Sequence, residues 1–230
     1  EPETLLEYIL QEVAYEKDLK GKKILVTAGP TQEPIDPVRY LTNHSSGKMG
    51  YAIAKVCSMR GAEVTLVSGK TAIKPPLFVD VVPVTTAREM YEAVTGRSDR
   101  QDIVIKAAAV ADYRPKTISE QKVKKTDEEL SIEMERTDDI LAWLGNHRQP
   151  GQVLCGFSME TENMLENSQT KLEKKHVDMI VANNLKTAGA GFGTDTNVVT
   201  IITKEGAEEL AMMTKEQVAH QLLNRIMDRF

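Results

Sequence analysis

Short apolar runs alternate with amphipathic segments along most of the chain. The apolar runs, which are typical of buried parallel strands, lie at 24–28, 63–67, 79–83, 102–109, 152–158, 178–182 and 197–203. Segments with apolar residues at helical spacing lie at 47–60, 87–95, 138–146, 163–176 and 215–229. Thr86 and Glu89 form a capping-box sequence at the start of the second of these helices. Strands alternating with helices predict an α/β fold with a mostly parallel sheet covered by helices.

The alternation is interrupted between 110 and 137. This stretch contains an Arg-Pro pair, a lysine-rich turn and a segment, 130–135, in which apolar and polar residues alternate. We predict a protruding, β-hairpin-like arm over about 113–137. No internal repeat or low-complexity linker divides the chain, so 21–230 is interpreted as one α/β domain that carries this arm.

The first 20 residues carry a pattern of their own. Pro2 stands where a helix start tolerates proline, and apolar residues follow at helical spacing from Leu5 to Val13. The chain begins with Glu1 instead of methionine, and we therefore expect that it was cut from a longer protein.

Composition narrows the class of protein. Of the 230 residues, 41% are hydrophobic and 27% are charged, which is ordinary for a soluble globular protein. No apolar run approaches the roughly 20 residues of a spanning helix, and a net charge of −5 argues against a nucleic-acid partner. Cys57 and Cys155 fall inside a predicted helix and a predicted strand, so we expect reduced thiols and a cytoplasmic location.

The stretch from Thr27 to Gly50 is the most informative local feature. A strand ends at Gly29, and Ser45, Ser46 and Gly47 offer backbone N–H groups before a helix, where anions bind favourably. Gly29 and Gly47 lie 18 positions apart, so neither G-x-G-x-x-G nor the P-loop pattern fits. The alternative interpretation is an ordinary loop and helix cap.

Other polar or glycine-rich loops follow predicted strand ends. In an open, Rossmann-like sheet ligands lie outside the carboxyl ends of the strands. We therefore expect a crevice formed by the loops at 29–47, 107–114, 157–162 and 183–197.

Several residues in these loops suit a nucleotide. The small residues that follow Lys106 let a base or ribose approach the backbone, and Asp112 could hold a divalent cation or a hydroxyl group. Phe157 could stack on a base. The structural alternatives are tight packing for the alanines, a turn for Asp112 and a core aromatic for Phe157.

Lysines and one asparagine complete the candidates. Lys122 lies in a lysine cluster of the arm, and Lys171 and Lys175 lie near the end of a predicted helix. They could neutralise a triphosphate, although lysine runs are more often solvated. Asn43 could orient an acyl or phosphoryl oxygen, or could simply form a turn.

Six segments, in order, closely resemble the phosphopantothenate–cysteine ligase family. They are Thr-Ala-Gly-Pro-Thr at 27–31, Asn-His-Ser-Ser-Gly-Lys-Met-Gly at 43–50, Ala-Ala-Val-Ala-Asp-Tyr-Arg at 108–114, Lys-Val-Lys-Lys at 122–125, Gly-Phe-x-x-Glu-Thr at 156–161, and the lysines at 171 and 175 leading to Asp-x-Ile-Val-Ala-Asn at 178–183. The resemblance covers nearly the whole chain. It implies the carboxy-terminal half of a bifunctional bacterial protein, with residues 1–20 as a linker helix after a flavin-dependent decarboxylase domain.

The resemblance implies a reaction of coenzyme A biosynthesis. The family joins 4′-phosphopantothenate to L-cysteine using CTP and Mg²⁺, through an acyl-cytidylate, and releases CMP and pyrophosphate. Family members are dimers in which the arm reaches the partner, so we expect a homodimer whose active site includes both subunits.

The resemblance also implies roles for individual residues. Asn43 would position the acyl-cytidylate, Asp112 would lie beside the nucleotide and its Mg²⁺, and Lys122 would act in catalysis from the arm. The remaining nucleotide-site residues would be Lys106, Ala107, Ala108, Asp138, Asp139, Ile140, Leu141, Phe157, Lys171 and Lys175, with Ser45, Ser46 and Gly47 receiving phosphate. The chain departs from the family pattern at 137–139, at Lys106 and at Met159.

Two other functions fit the pattern less well. A nicotinamide-dependent oxidoreductase would share the order of strands and helices, but the first-turn glycine fingerprint is missing, and Tyr113 and Lys116 have the wrong spacing for a Tyr-x-x-x-Lys pair. A non-catalytic nucleotide-binding module is the third hypothesis.

Overall fold

The structure, a computed structural model, describes residues 1–125, 129–160, 164–184, 191 and 193–230, without the side chains of 160 and 184. Within these ranges the helices are α1 (Pro2–Val13), α2 (Lys48–Met59), α3 (Ala87–Thr95), α4 (Ile140–Asn146), α5 (Met164–Lys174) and α6 (Lys215–Met227). The strands are β1 (Lys23–Ala28), β2 (Gln32–Pro34), β3 (Tyr40–Thr42), β4 (Glu63–Ser68), β5 (Asp80–Pro83), β6 (Ile103–Lys106), β7 (Tyr113–Pro115), β8 (Met134–Arg136), β9 (Val153–Glu160), β10 (Met179–Asn184), β11 (Thr196–Asn197), β12 (Val199–Thr203), β13 (Gly206–Glu209) and β14 (Met213–Thr214).

Eight strands form the central sheet in the order β13-β12-β10-β9-β6-β1-β4-β5. The six strands from β10 to β5 run parallel to one another. Strand β12 pairs antiparallel with β10, and β13 pairs antiparallel with β12. Numbered in chain order, the parallel strands are arranged 3-2-1-4-5-6, which is the order of doubly wound nucleotide-binding sheets. The order reverses between β1 and β6, so a crevice opens at their carboxyl ends. The predicted Rossmann-like α/β class is confirmed.

The sheet buries apolar residues on both faces. Successive residues of β1 point to opposite faces, so Ile24 and Val26 pack with α2 and α6, and Leu25 packs with α3, α4 and α5. Burying one such side chain contributes about 1.5–3 kcal/mol, which is why the strands are almost wholly apolar. The capping box at the start of α3 is present as predicted, with the Glu89 amide donating to Thr86 Oγ1 at 3.2 Å.

The predicted strand 102–109 is too long, because the ordered pairing ends at Lys106. Beyond it the regular ladder with β1 is interrupted, because the Ala108 amide bonds to a side chain of β1 and Ala109 forms only an isolated bridge with Pro30. Ala108 N donates to the hydroxyl of Thr27 at 3.0 Å, and Ala109 N donates to Gly29 O at 2.9 Å. The three alanines therefore form the floor of a crevice and not a continuation of the strand.

Short strands escaped the sequence analysis because two to four residues give no measurable period. Among them, β2 pairs with β3, and the predicted strand 197–203 is divided into β11 and β12. The predicted arm is a hairpin at its base, since β7 pairs antiparallel with β8 and Tyr113 lies opposite Arg136.

A buried carboxylate fixes the arm to the β2–β3 turn. Asp36 accepts hydrogen bonds from the amides of Val38 and Arg39, both at 2.8 Å, and from Val123 N in the arm at 3.1 Å. The Arg39 guanidinium beside it, together with these amides, holds the pKa of the Asp36 carboxyl well below its usual range. Asp36 therefore fixes the middle of the arm, at Val123, to the β2–β3 turn.

Helix α1 packs loosely on the outside of α2. None of its residues is buried, and its contacts include Gln11 Nε2 to Ser58 O at 2.9 Å and an edge-to-face pair of Tyr8 with Phe78. Its role as a linker stays a prediction. In the part of the chain that the structure describes, no helix combines the length and the apolar character that crossing a membrane requires.

We predict acid sensitivity from His220 on α6. This ring packs against Tyr15 at a centroid distance of 4.2 Å, and its Nε2 is buried without a hydrogen-bond partner. Burial, reinforced by the charge of Arg60, lowers the pKa of His220, although Glu216 and Asp18 partly oppose this. The unfolded chain then binds the proton first, so the free energy of unfolding should fall as pH drops through about 6.5 and level off below the folded pKa.

The measurement is urea unfolding of the wild type and His220→Phe at pH 7.5, 6.5 and 5.5. The phenyl ring keeps the packing but cannot titrate, so the variant should lose less stability on acidification than the wild type. Equal losses in the two proteins would contradict the assignment.

Candidate active site

A cavity of about 470 Å³ opens at the carboxyl ends of β1, β6 and β9, where the strand order reverses. Its wall is formed by the start of α2 with the loop before it, the alanines after β6, the end of β9, one residue of α5 and the first residue of α6. The described parts of the four loops expected from the sequence thus meet in one place.

Three glycines shape the turn between β1 and α2. Gly29 and Gly47 have positive φ angles of 73° and 78°, which side chains disfavour. A Cβ atom on Gly47 would lie only 3.4 Å from Gly29 Cα, so the two turns touch. A Cβ atom on Gly50 would lie 2.6 Å from Ala28 Cβ, so only glycine lets α2 approach β1 this closely.

These glycines serve the three functions of the glycines in a dinucleotide-binding fingerprint. They permit a tight turn, let a phosphate approach the backbone, and let the helix pack closely on the strand. Gly47 and Gly50 have the spacing of its last two glycines, and Gly29 takes the place of the first. Residues 30–46, which include the β2–β3 hairpin, are inserted between the first and second. The motif is therefore interrupted in sequence and assembled in space.

Buried threonines hold the loops around this turn. The hydroxyl of Thr27 accepts from Ala108 N, and the hydroxyl of Thr31 accepts from Ala111 N, both at 3.0 Å. Glu33, which is also buried, accepts from Ala87 N at 2.9 Å and caps α3. The Thr-Ala-Gly-Pro-Thr segment is thus a scaffold that fixes the loop after β6.

The start of α2 presents positive potential to the cavity. The amides of Gly47 and Lys48 make only long contacts, of 3.4 and 3.5 Å, to the hydroxyls of Ser45 and Ser46. The first turn of α2 has no acidic residue. The helix dipole and these amides therefore favour an anion here.

Ten of the residues proposed from the sequence line the cavity. They are Asn43, Ser45, Ser46, Gly47, Lys106, Ala107, Ala108, Asp112, Phe157 and Lys171. Asn43 is held at its edge, since its Nδ2 donates to Ala109 O at 3.2 Å.

The other proposed residues lie elsewhere. Ile140 and Leu141, the first two residues of α4, are buried in the apolar core, and Lys122 is exposed on the arm. Asp138 is exposed, whereas Asp139 caps α4 by accepting from Ala142 N at 2.9 Å and forms an ion pair with Lys175. The structure does not place these side chains on the cavity wall of this chain.

Charged side chains in and around the cavity wall act on the ammonium group of Lys106. Burial lowers the pKa of the half-buried Lys106, while the carboxylates of Asp139 and Asp112 oppose that shift. Lys171 and Lys175 lower it further by repulsion. Several ammonium groups share this region, so an added anion would be strongly stabilised.

The sequence analysis missed two lysines that line the cavity, Lys48 and Lys215. Lys48 donates to Asp195 Oδ1 at 2.7 Å, and the buried Lys215 donates to Gly191 O at 3.1 Å. The sequence held a signal for both. Each lysine stands at the first position of a helix, where its positive charge opposes the macrodipole, and a residue type that is unfavourable for the helix indicates another role.

Two buried or half-buried asparagines support the same wall. Asn197 Nδ2 donates to Asn183 Oδ1 at 2.7 Å, and this pair links β11 to the end of β10. Asn183 lies in a segment quoted for the family resemblance, but its contact with Asn197 could not be read from sequence. The pair shapes the wall opposite α2.

Asp112 is the residue expected to meet a metal ion. It lies exposed at the cavity rim, and the described residues contain no group of three His, Cys, Asp or Glu side chains able to hold a metal ion. One carboxylate suits Mg²⁺, which commonly binds through one or two carboxylates together with substrate phosphates and water.

Comparison with known proteins gives consistent matches. Residues 19–230 match the family described as DNA/pantothenate metabolism flavoprotein C-terminal domain. The chain is 45% identical over 230 residues to the coenzyme A biosynthesis bifunctional protein CoaBC of Bacillus subtilis (strain 168), covering 98% of this chain and 56% of that protein. It thus spans about half the length of the curated relatives it matches.

Two solved structures are similar along nearly their full length. The C-terminal domain of a coenzyme A biosynthesis bifunctional protein CoaBC has 51% identity and a TM-score of 0.77, covering 91% of this chain and 97% of that one. A Cab2 variant in complex with phosphopantothenate-cysteine has 16% identity and a TM-score of 0.76, covering 98% of this chain and 94% of that one. At that identity the second match speaks for the fold.

We predict that Gly50→Ala destabilises the protein by about 1–3 kcal/mol, because its methyl group would overlap the backbone and side chain of β1. Gly193→Ala is the matched control, since a Cβ atom there meets nothing within 4 Å. Urea unfolding measures both. A Gly50 variant as stable as the Gly193 variant would contradict the close approach of α2 and β1.

Proposed function

Because this chain belongs to the DNA/pantothenate metabolism flavoprotein C-terminal domain family, we propose that it is a phosphopantothenate–cysteine ligase of coenzyme A biosynthesis. It would form 4′-phosphopantothenoyl-cysteine from 4′-phosphopantothenate, L-cysteine and CTP. The observation that carries the proposal is the lysine-rich cavity at the strand switch point, which gathers ten of the residues expected from sequence. The relatives named for coenzyme A biosynthesis support the same reaction, and the Cab2 variant in complex with phosphopantothenate-cysteine shares the fold.

In the first step the carboxylate of phosphopantothenate attacks the α-phosphorus of CTP and expels pyrophosphate. Both reactants are anions, so their repulsion must be reduced before they meet. Lys106 and Lys171 line the cavity and supply positive charge, and the amide of Gly47 would donate to a phosphate oxygen. Mg²⁺, held by Asp112 together with the phosphates, would supply further charge neutralisation.

The base and ribose lie against the small residues after β6. Ala107 and Ala108 carry no bulk beyond Cβ, so a flat ring can contact the backbone there. The half-buried Phe157 lies on the same wall and offers a stacking surface. These features suit a nucleoside. With the nucleoside bound there, its phosphates would extend toward the start of α2.

In the second step the amine of cysteine attacks the acyl carbonyl of the acyl-cytidylate, and CMP leaves. Negative charge develops on the carbonyl oxygen and needs a hydrogen-bond donor at the correct position. Asn43 lies at the cavity edge, and its bond to Ala109 O orients its amide. We assign Asn43 to this position.

We further propose a homodimer in which the arm completes the partner's site. Lys122 does not line the cavity of its own chain, although the resemblance gives it a catalytic role. The arm and the neighbouring β2–β3 hairpin expose large apolar side chains, which suit a protein interface. They are Val38, Tyr40, Leu41, Tyr113, Ile118, Leu130 and Met134.

The longer protein is part of the proposal. We place residues 1–20 between this domain and a flavin-dependent decarboxylase domain, as the length of the bifunctional relatives suggests. A cytoplasmic location fits the two buried, unpaired cysteines, Cys57 and Cys155.

The first test is pyrophosphate release with phosphopantothenate, cysteine, Mg²⁺ and either CTP or ATP. We expect release that depends on phosphopantothenate, with CTP preferred. Absence of release with both nucleotides would contradict the ligase proposal, and oxidation of NADH by the same protein would favour the oxidoreductase hypothesis.

Asn43→Asp should uncouple the two steps. A carboxylate there removes the donor and repels the developing oxyanion, so the second step should slow about 10²- to 10³-fold. Single-turnover chromatography should then show acyl-cytidylate accumulating while pyrophosphate still forms. Asn146→Asp, at the far end of α4, is the matched control, and equal turnover of both variants would remove Asn43 from the mechanism.

Mixing two slow variants tests whether Lys122 acts across the dimer. Lys122→Gln and Asn43→Asp should each slow the reaction when pure. If Lys122 serves the partner's cavity, about half of the dimers in an equal mixture are heterodimers, each heterodimer carries one intact site, and activity should recover to about a quarter of wild type. Activity that stays at the average of the two pure variants would place Lys122 in its own chain's site.

A further inference from the structure

Lys48 and Lys215 form a second group of positive charge at the cavity, away from Lys106 and Lys171. Lys48 is the first residue of α2, and Lys215 is the first residue of α6. Both ammonium groups contact the segment around 191–196. Burial, and next the charge of Lys48, lowers the pKa of Lys215.

The two lysines differ in how firmly they are held. Lys215 is buried and donates to three backbone carbonyls, those of Gly191, Thr194 and Thr196. It is therefore a structural cation that shapes this segment. Lys48 instead donates to one carbonyl, Gly193 O at 2.9 Å, and to the carboxylate of Asp195.

The Lys48–Asp195 ion pair is exposed and exchangeable. The side chain of Asp195 is 87% exposed and that of Lys48 is 30% exposed. Exposed ion pairs contribute little to stability, so breaking one to bind another anion carries little penalty. Lys48 also lines a neighbouring cavity of about 820 Å³ beneath α1, so it stands between two open spaces.

The balance of charge favours an anion at Lys48. The described residues that line the central cavity include four lysines and one carboxylate, Asp112. Asp195 lies outside that wall but within 2.7 Å of the Lys48 ammonium group. Lys48 follows Gly47 directly, so its ammonium group can approach an anion bound by the α2 amides.

We propose that Lys48 binds a phosphoryl group of a substrate, and that Asp195 occupies its ammonium group until the substrate arrives. This inference rests on the proposed ligase function and adds a binding residue to it. The phosphoryl group belongs either to the nucleotide triphosphate or to the phosphorylated acid, since both substrates enter the same cavity. Asp195 is thus an internal competitor for the ligand.

Opposite effects of two substitutions test this inference. Lys48→Met should raise the KM of one phosphorylated substrate about tenfold or more, because a charge-assisted hydrogen bond is lost. Asp195→Asn should lower the same KM about two- to fivefold, because the competitor is gone. The substrate whose KM moves, CTP or phosphopantothenate, identifies the source of the phosphoryl group.

The controls separate binding from structure. Lys55→Met lies on the same helix and breaks a comparable ion pair, with Glu216, yet Lys55 does not line the central cavity, so both KM values should stay unchanged. Lys48→Arg should retain most of the affinity. In the Lys48→Met background, Asp195→Asn should bring no gain.

Two outcomes would overturn the inference. One is a Lys48→Met enzyme with wild-type KM for both substrates, and the other is weaker binding in both single variants, as a structural latch would give. Isothermal titration of CTP and of phosphopantothenate into the same variants checks the affinities without turnover. If the wild type releases no pyrophosphate, the ligase proposal fails, and that result is distinct from either outcome.

Discussion

The close approach of α2 to the end of β1 is the constraint on which the site depends. Gly50 permits it, because any side chain there would overlap Ala28. The contact brings the α2 amides to the point where the strand order reverses. The cavity, its positive potential and the access of phosphates to Gly47 all follow from that position.

The second determinant is an excess of positive charge around the cavity. Lys106, Lys171, Lys48 and Lys215 surround one cavity, but they are held differently. Lys215 is satisfied by backbone carbonyls, and Lys106 is partly neutralised by Asp139 and Asp112. The structure thus separates a cation that shapes the wall from cations that can meet a polyanion.

Much of the fold could be predicted from sequence because the five parallel strands inside the sheet, β10, β9, β6, β1 and β4, are largely buried on both faces and therefore read as continuous apolar runs. The family resemblance was confirmed, since its motifs lie in the loops that such a sheet gathers. The predicted strand 102–109 was too long. Strand β6 ends at Lys106 because Thr27 and Gly29 accept hydrogen bonds from the amides of Ala108 and Ala109.

The sequence by itself determined the class of sheet, the location of the crevice and ten of the residues that line it. Apolar period and loop composition are local properties, and parallel strands bring their carboxyl ends together. Only the tertiary structure decided that Gly29, Gly47 and Gly50 form one interrupted fingerprint, and that Lys48 meets Asp195. These contacts join residues far apart in the chain, and their energies depend on distances that no local pattern encodes.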